Sequence, residues 1–279
     1  MHRSYAQVTL VHRSLTSQFR RMSRRELLSL MGGAALACAA PFAANPKNSP
    51  TAERSTGIRA VAFDLFTLFD PRGVDQRVAE VVGPSAAPFA GAWKSRLFEY
   101  SWLRAASAQY RPFDELVRDA LSYAATAHHI GLSTTQRAQL EAAFTELAAW
   151  PDAAATLERL RARGLKLAPL ANFSPRMIER LLRHARLAAH FDDQISTDRA
   201  HTYKPDPRGY ALAEAAFALP RSQIAFSAFG GWDAAGARWF GFPTFWVNRL
   251  AQPAEELIAP HAVGPDLRAL ASWLEARAA

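Results

Sequence analysis

The stretch Ile58-Arg-Ala-Val-Ala-Phe-Asp64, followed by Leu65-Phe-Thr-Leu-Phe-Asp70, decides the fold class of this chain. Its first half is a short apolar run that is typical of a buried strand. Asp64 comes at the carboxyl end of that run, which is the edge of an open α/β sheet where ligands bind. A carboxylate there can act as a nucleophile, as a metal ligand or as a cap of the following turn.

The hydrophobic spacing beyond Asp70 predicts the rest of the fold. Only helical patterns follow at first, over residues 75–82, 87–108, 113–129 and 133–149. The last of them begins with a capping box, Ser133-Thr-Thr-Gln136. Strand-like runs then return and alternate with helical stretches, at residues 165–171, 191–195, 223–229 and 243–247. This βαβ alternation predicts an α/β fold with a doubly wound parallel sheet and helices on both faces.

The helical block lies between the first and second strands, and we therefore predict two domains. A Rossmann-like core domain comprises residues 58–72 and 151–279, and a helical cap domain, residues 73–150, is inserted into it over the carboxyl edge of the sheet. The chain has 279 residues, of which 49% are hydrophobic, and this is enough to bury a sizeable core.

Residues 1–44 have the composition of an export signal. Ser23-Arg-Arg-Glu-Leu-Leu28 leads into a short apolar stretch, 27–40, and this order is typical of a twin-arginine-type signal peptide. The apolar stretch is shorter than the roughly 20 residues that span a bilayer. We predict a periplasmic protein with no stable membrane anchor after processing, and a linker over residues 45–57. The alternative is lipid attachment at Cys38.

The formal net charge of +8 lies mostly in this N-terminal segment, because six arginines and one glutamate give residues 1–44 a charge of +5. The remainder has no sign of the basic face of a nucleic-acid-binding domain, so we expect no nucleic acid as a partner. Its mild positive charge is compatible with a small anionic substrate. A single cysteine excludes an intramolecular disulfide.

Polar residues follow the first four predicted strands. Asp64 follows the first strand and Asn172 the second; Lys204 lies in Tyr203-Lys-Pro-Asp206 after the third, and Asp233 comes shortly after the fourth. We expect these four side chains to converge at the carboxyl edge of the sheet. The ammonium of Lys204 would favour the ionised form of Asp64. Taken singly, each residue is equally explained as a cap, a turn residue or a solvated loop residue.

Several stretches resemble the haloacid dehalogenase superfamily, and most closely the type II (S)-2-haloacid dehalogenases. They are Phe63-Asp-Leu-Phe-Thr-Leu-Phe-Asp70, Leu97-Phe-Glu-Tyr-Ser-Trp-Leu-Arg104, Arg163-Gly-Leu-Lys-Leu-Ala168, Tyr203-Lys-Pro-Asp206 and Trp232-Asp-Ala-Ala-Gly-Ala-Arg238. Phe66, two positions after Asp64, matches the aromatic residue of dehalogenases. Phosphatases of the superfamily usually have a second aspartate there.

The resemblance implies a mechanism that needs neither metal nor cofactor. Asp64 would displace halide from C2 of a short 2-haloalkanoate with inversion and form an aspartyl ester. Water oriented by Asp233 and Lys204 would then release a 2-hydroxy acid. Asn172 matches a position that lines the halide pocket, and Tyr210 matches an active-site tyrosine. A homodimer is the further expectation from the resemblance.

Other matches concern the binding of the substrate. Thr67 and Lys94 match positions that bind substrate or halide. Lys94 stands where an arginine is usual, and lysine lacks the planar fork of the guanidinium. An apolar wall around the alkyl group is implied for three aromatic residues, Phe98, Phe113 and Trp232.

The chain also departs from the family pattern around the nucleophile. Phe66 runs directly into Thr67, so the turn after Asp64 is one residue shorter than usual. Ala171 replaces a serine, and Ala228-Phe-Gly230 replaces a Ser-x-Asn motif whose side chains normally touch the nucleophile and its water. Two alternatives therefore stay open. One is a phosphatase that uses Mg²⁺, and the other is a catalytically decayed fold that binds a small acid.

Overall fold

The structure, a computed structural model, describes residues 57–277. The predicted signal peptide and nearly all of the predicted linker lie outside the described residues, so export stays a prediction. Between residues 57 and 277, no helix is both long enough and apolar enough to cross a membrane.

Strands and helices alternate in the order that the sequence predicts. The strands are β1 (Ala60–Phe63), β2 (Lys166–Ala171), β3 (Ile195–Ser196), β4 (Ile224–Ala228), β5 (Thr244–Val247) and β6 (Ala262–Gly264). The helices that separate β1 from β2 are α1 (Leu65–Leu68), α2 (Arg72–Val82), α3 (Ala86–Ala106), α4 (Phe113–Ala127), α5 (Thr134–Ala143) and α6 (Ala153–Ala162). The helices after β2 are α7 (Pro175–His184), α8 (Pro207–Phe217), α9 (Gly231–Phe240) and α10 (Leu267–Ala276).

The six strands form one sheet in the order β3-β2-β1-β4-β5-β6, and all of its pairings are parallel. The chain winds outward from β1 to β3 on one side, then returns to β4 and winds outward on the other side. A crevice forms outside the carboxyl ends of the strands where this winding reverses, next to β1. The doubly wound parallel sheet predicted from the sequence is therefore confirmed.

Strand β1 is buried on both faces. Val61 and Phe63 belong to one hydrophobic cluster and Ala60 and Ala62 to another, because successive side chains of a strand point to opposite faces. All four residues are fully buried. A strand covered on both faces needs a continuous apolar run, which is why the sequence alone predicts it.

The helices α2 to α5 form the segment that the sequence assigns to a cap. Helix α3 packs against α2 and α4, and Trp93 of α3 is fully buried and donates its indole N–H to the carbonyl oxygen of Val117 in α4, at 3.0 Å. The capping box at the start of α5 is confirmed, since the Ser133 and Gln136 side chains each bond the other residue's backbone N–H.

Helix α5 ends at Ala143, earlier than the predicted 149. The chain turns back after α5, and Ala149 forms an antiparallel bridge with Phe69. The amide of Trp150 then donates to the carbonyl oxygen of Leu68, at 2.9 Å. These pairings with the segment after β1 compete with continuation of the helix. The sequence also missed β6, whose residues 262–264 are an incompletely buried edge strand without an apolar run.

Candidate active site

Asp64 begins the turn that follows β1. Its backbone N–H donates to the carbonyl oxygen of Ser227 in β4, at 2.9 Å, which continues the sheet pairing to the last residue before α1. Its carboxylate oxygen Oδ2 accepts from the amide of Phe66 at 3.0 Å and caps α1. The carboxylate therefore acts as a helix cap, yet its side chain keeps 15% of its surface exposed, facing a cavity.

Lys204 joins the two acidic groups that the sequence singles out. Its Nζ lies 2.8 Å from Asp64 Oδ1 and 2.6 Å from Asp233 Oδ2. The Lys204 and Asp233 side chains are each only 1% exposed. Burial alone would lower the pKa of Lys204, but the charges of Asp233 and Asp64 offset this effect and hold its pKa above the ordinary value. The ammonium thus stays charged between two carboxylates.

Asp233 lies in the first turn of α9 and titrates unusually. Burial and the charge of Asp64 raise its pKa to about 6, although Lys204 and Tyr210 act in the opposite direction. The Tyr210 hydroxyl donates to Asp233 Oδ1 at 2.6 Å. Burial and the neighbouring carboxylates raise the pKa of Tyr210 well above its ordinary value. Tyr210 therefore donates a hydrogen bond as a neutral phenol.

Asn172 follows β2 and positions the lysine segment. Its side-chain oxygen accepts from the backbone N–H of Lys204 at 2.8 Å and from the Thr197 hydroxyl at 3.3 Å. Because the oxygen is occupied, the amide NH₂ group is the part of Asn172 that can serve a ligand. Asn172 also lines the cavity, as the sequence predicts for a pocket residue.

A cavity of about 440 Å³ lies beside Asp64 and Lys204. The predicted wall residues Phe98, Phe113 and Trp232 all line it. Phe98 belongs to α3, and its ring lies 5.8 Å from the ring of Trp232 at the start of α9. The helical segment and the strand ends therefore share one apolar wall around the carboxylate.

Four further aromatic residues line the cavity and were not predicted from the sequence: Phe144, Phe173, Phe229 and Trp246. Phe173 and Phe229 line the cavity, and the ring of Phe66 lies 5.9 Å from each of them. Their positions in the sequence could have indicated Phe173 and Phe229, because Phe173 comes two residues after β2 and Phe229 comes directly after β4. Residues that follow the strands at this edge of the sheet lie at the ligand-binding crevice, whether their side chains are polar or apolar.

Thr67 and Tyr210, which the resemblance places among the substrate-binding residues, do not line the cavity, and a role in binding stays a prediction for both. The Thr67 hydroxyl is fully buried and donates to the carbonyl oxygen of Asp64 at 2.7 Å, as the shortened turn dictates. Tyr210 lies behind Asp233 and reaches the site only through that carboxylate.

Lys94 does line the cavity, but its ammonium is held by Asp75. The Nζ atom lies 2.6 and 2.8 Å from the two oxygens of that carboxylate. About 40% of each side chain is exposed, so water weakens this ion pair. A bound anion can therefore compete with Asp75 for Lys94.

Within residues 57–277 the structure brings no three His, Cys, Asp or Glu residues close enough together to hold a metal ion. Asp64 and Asp233, the two carboxylates at the strand ends, are both ligands of the Lys204 ammonium. That a metal takes no part in the reaction stays a prediction.

The sequence profile of the haloacid dehalogenase-like hydrolase family matches residues 58–241, the region that carries all of these side chains. This chain belongs to that family. The matched region contains β1 to β4 and α9, so the family fold supplies Asp64, Asn172, Lys204 and Asp233 together.

Characterised members of the family are similar over most of their length. The (S)-2-haloacid dehalogenase of Pseudomonas sp. strain YL is 41% identical over 72% of this chain and 87% of its own. The (S)-2-haloacid dehalogenase H-109 of Pseudomonas putida is 38% identical over 78% of this chain and 98% of its own. The resemblance to type II dehalogenases that the sequence motifs indicate is confirmed.

Solved structures agree with these matches. The L-2-haloacid dehalogenase of Xanthobacter autotrophicus with chloropropionic acid covalently bound superposes with a TM-score of 0.73 and 30% identity. The match covers 78% of this chain and 98% of that one. The L-2-haloacid dehalogenase RSc1362 superposes with a TM-score of 0.77 and 38% identity, over 79% of this chain and all of that one.

Proposed function

We propose that this protein is a hydrolytic dehalogenase that converts a short (S)-2-haloalkanoic acid to the 2-hydroxy acid through an ester on Asp64. One observation carries the proposal: the buried Lys204 ammonium binds Asp64 and Asp233 together at the wall of an apolar cavity. The names of the similar enzymes, and the covalent chloropropionic acid in one of them, support the same chemistry.

In the first step a carboxylate oxygen of Asp64 attacks C2 of the substrate, and the carbon–halogen bond breaks with its electron pair on the leaving halide. The aromatic wall removes water from the attacking oxygen, which makes it a stronger nucleophile. Lys204, whose Nζ lies 2.8 Å from Asp64 Oδ1, orients the Asp64 carboxylate for the attack. The products of this step are a halide ion and an ester of Asp64 that still carries the substrate carboxylate.

In the second step water adds to the ester carbonyl carbon of Asp64, and the ester bond breaks to give the 2-hydroxy acid and the free carboxylate. Asp233, when ionised, accepts the proton of that water or orients it. Lys204, bound to both carboxylates, stabilises the negative charge that develops on the carbonyl oxygen.

Phe66 favours dehalogenation over the phosphatase alternative. Phosphoryl transfer that expels an alcohol benefits from an acid two positions after the nucleophile, which protonates the leaving oxygen, and Phe66 has no proton to give. Halide leaves as an anion that needs no proton. The apolar ring of Phe66, packed against Phe173 and Phe229, suits the second reaction.

The direct test is halide release from (S)-2-chloropropanoate with and without EDTA. We expect release that EDTA does not affect and that Asp64→Asn lowers by several orders of magnitude, because the amide is not a nucleophile. Asp70→Asn is the matched control, since Asp70 follows the same turn but pairs with the exposed Arg72. Metal-dependent phosphomonoester hydrolysis would instead support the phosphatase, and absence of both activities the decayed binding protein.

A single turnover in H₂¹⁸O tests the ester itself. Attack of labelled water on the carbonyl carbon leaves ¹⁸O in the Asp64 carboxylate, and the product oxygen comes from the protein. Mass spectrometry of the peptide that contains Asp64 reads this out. Label found only in the 2-hydroxy acid would mean that water attacks C2 directly.

We further propose that the protein acts in the periplasm, on the basis of Arg24 and Arg25 and the apolar stretch after them. Replacing both arginines with lysine is expected to retain the protein in the cytoplasmic fraction of a bacterial host with this export route. The homodimer is also a proposal, which sedimentation of the purified protein tests.

A further inference from the structure

Tyr203, the residue before Lys204, is fully buried and contacts the helical segment between β1 and β2. Its hydroxyl donates to the backbone carbonyl oxygen of Arg111, 92 residues away along the chain, in the loop that joins α3 to α4. Its ring lies 5.3 Å from the ring of Tyr110 in the same loop and 6.0 Å from that of Phe113, the first residue of α4. A buried tyrosine hydroxyl normally finds a partner, and here that partner belongs to the α3–α4 loop.

The α3–α4 loop also binds back to the segment that precedes Lys204. The Tyr110 hydroxyl donates to Asp198 Oδ1 at 2.5 Å, and its ring stacks on that of His201 at 5.4 Å, with 10° between the planes. Burial raises the pKa of both Tyr110 and Tyr203, so both donate as neutral phenols. His201 has a φ of +47°, which is uncommon outside glycine, and the stacked ring helps to hold this turn.

The peptide unit between Tyr203 and Lys204 is therefore anchored on two sides. Its N–H donates to the side-chain oxygen of Asn172 at 2.8 Å, which holds it to the end of β2, and the Tyr203 hydroxyl holds it to the α3–α4 loop. The lysine ammonium has to reach two carboxylates, at 2.8 and 2.6 Å. A displacement of about 1 Å would lengthen either contact beyond hydrogen-bond range. A single anchor would leave the segment free to rotate about it, whereas two anchors fix the place from which the lysine side chain starts.

We propose that Tyr203 is a positioning residue for Lys204, held to the α3–α4 loop so that the ammonium lies between the two carboxylates of the site. Tyr110 supports the same arrangement from the loop. Tyr203 does not line the cavity, so it acts only through the lysine. The consequence for the reaction depends on the proposed function, whereas the placement of the ammonium depends on these contacts alone.

The test is Tyr203→Phe, which keeps the ring and removes the hydroxyl. Its readout is the pKa of Asp233, which burial and Asp64 raise and which the charge of Lys204 and the hydrogen bond from Tyr210 lower. If the ammonium moves away, this pKa rises from about 6, and we expect a rise of roughly half a unit or more. Carbon-13 NMR of aspartate-labelled protein measures it without substrate, and Asp233→Asn assigns the signal.

Two further variants separate positioning from packing. Tyr110→Phe removes the hydroxyl on the loop side, and we expect the pKa of Asp233 to rise here too. Tyr123→Phe is the matched control, because it removes a hydroxyl from α4 at a residue that is 42% exposed and whose ring packs on Arg96. It should leave the pKa of Asp233 unchanged.

Melting temperatures of the same variants report packing. A folded Tyr203→Phe protein with a lower melting temperature but an unchanged Asp233 pKa would mean a packing role only and would overturn the proposal. If Tyr203→Phe does not fold, Tyr110→Phe decides in the same way, since Tyr110 is only partly buried and is expected to tolerate the change.

Kinetics distinguishes this inference from the proposed function. We expect Tyr203→Phe to lower kcat for (S)-2-chloropropanoate roughly tenfold or more and to leave KM within about twofold, because a displaced lysine impairs the reaction and not the binding. A raised KM with unchanged kcat would instead place Tyr203 in substrate binding and contradict the inference. If the wild type releases no halide but Tyr203→Phe still raises the Asp233 pKa, the proposed function fails and the positioning of Lys204 stands.

Discussion

Lys204 holds a full charge almost completely out of water, and it does so because two carboxylates surround it. Transfer of a single charge into such a place is very unfavourable, and only well-placed partners compensate for it. The backbone of the lysine is itself fixed by Asn172, at 2.8 Å. The three charged groups thus form one unit, and a change at any one of them alters the other two.

The first prediction concerns pH and belongs to Asp233. Its pKa of about 6 means that acid protonates the group that serves the second step. We expect the rate of ester hydrolysis to fall as the pH drops below about 6, and single-turnover rates between about pH 5 and 8 measure this. Asp233→Asn should be slow and lack this acid limb. A wild-type rate that stays constant over the range would contradict the assignment.

Protonation of Asp233 has the opposite effect on the stability of the folded protein: it favours folding, whereas it slows ester hydrolysis. The folded state holds the Asp233 proton more tightly than the unfolded chain, whose ordinary pKa is 3.8. Its contribution to the free energy of unfolding is therefore fully present below pH 3.8 and is lost as the pH rises through about 6. The pH at which this residue favours folding is the pH at which it cannot assist the reaction.

Helix α1 shows how a short element positions a reactive group. It has only four residues, and the Asp64 carboxylate accepts the amide of Phe66 while the Thr67 hydroxyl donates to the carbonyl oxygen of Asp64. The shortened turn closes on itself through these contacts. The Thr67 hydroxyl therefore holds the backbone of Asp64 in place and does not face the cavity.

Thr67→Val tests that role at the scale of the element. The valine has nearly the shape of threonine but no hydroxyl, so we expect a loss of about 1 kcal/mol in the free energy of unfolding. The KM for the substrate should stay unchanged, because Thr67 does not line the cavity. Urea denaturation and steady-state kinetics measure the two effects. A large increase in KM with unchanged stability would restore Thr67 to the binding site.

At the scale of the whole molecule, Arg249, which also lines the cavity, connects elements that are distant in the sequence. Its guanidinium donates to the carbonyl oxygen of Thr67 in α1, at 2.9 Å, and to Asp152 before α6, at 2.8 Å. The second oxygen of Asp152 accepts from the amide of Leu267 at the start of α10, also at 2.8 Å. The Arg249 and Asp152 side chains are only 7% and 11% exposed.

We expect Arg249→Met to lower the free energy of unfolding by roughly 3 kcal/mol, because it leaves the nearly buried Asp152 carboxylate without its partner. Arg268→Met is the matched control, since Arg268 pairs with Asp266 but keeps 76% of its side chain exposed and is expected to cost less than about 1 kcal/mol. Denaturant titration measures the free energy of unfolding of each variant. Equal losses would mean that Arg249 does not connect these elements.

The sequence by itself determined the sheet and the reactive groups of this protein. A strand buried on both faces has to be a continuous apolar run, and polar residues at strand ends have to meet at one edge of a parallel sheet. Asp64, Asn172, Lys204 and Asp233 follow from these two constraints. Family resemblance added the aromatic wall, of which Phe98, Phe113 and Trp232 lie where it implies.

Only the tertiary structure decided what each side chain touches. Thr67 turned away from the cavity, Lys94 was bound by Asp75, and the space over Gly230 was filled by the ring of Trp232. The physical reason is the separation along the chain over which each effect acts. Apolar periodicity acts between neighbours along the chain, whereas a hydrogen bond or a van der Waals contact is satisfied by whichever atom the fold brings within a few ångströms, however distant it is in sequence.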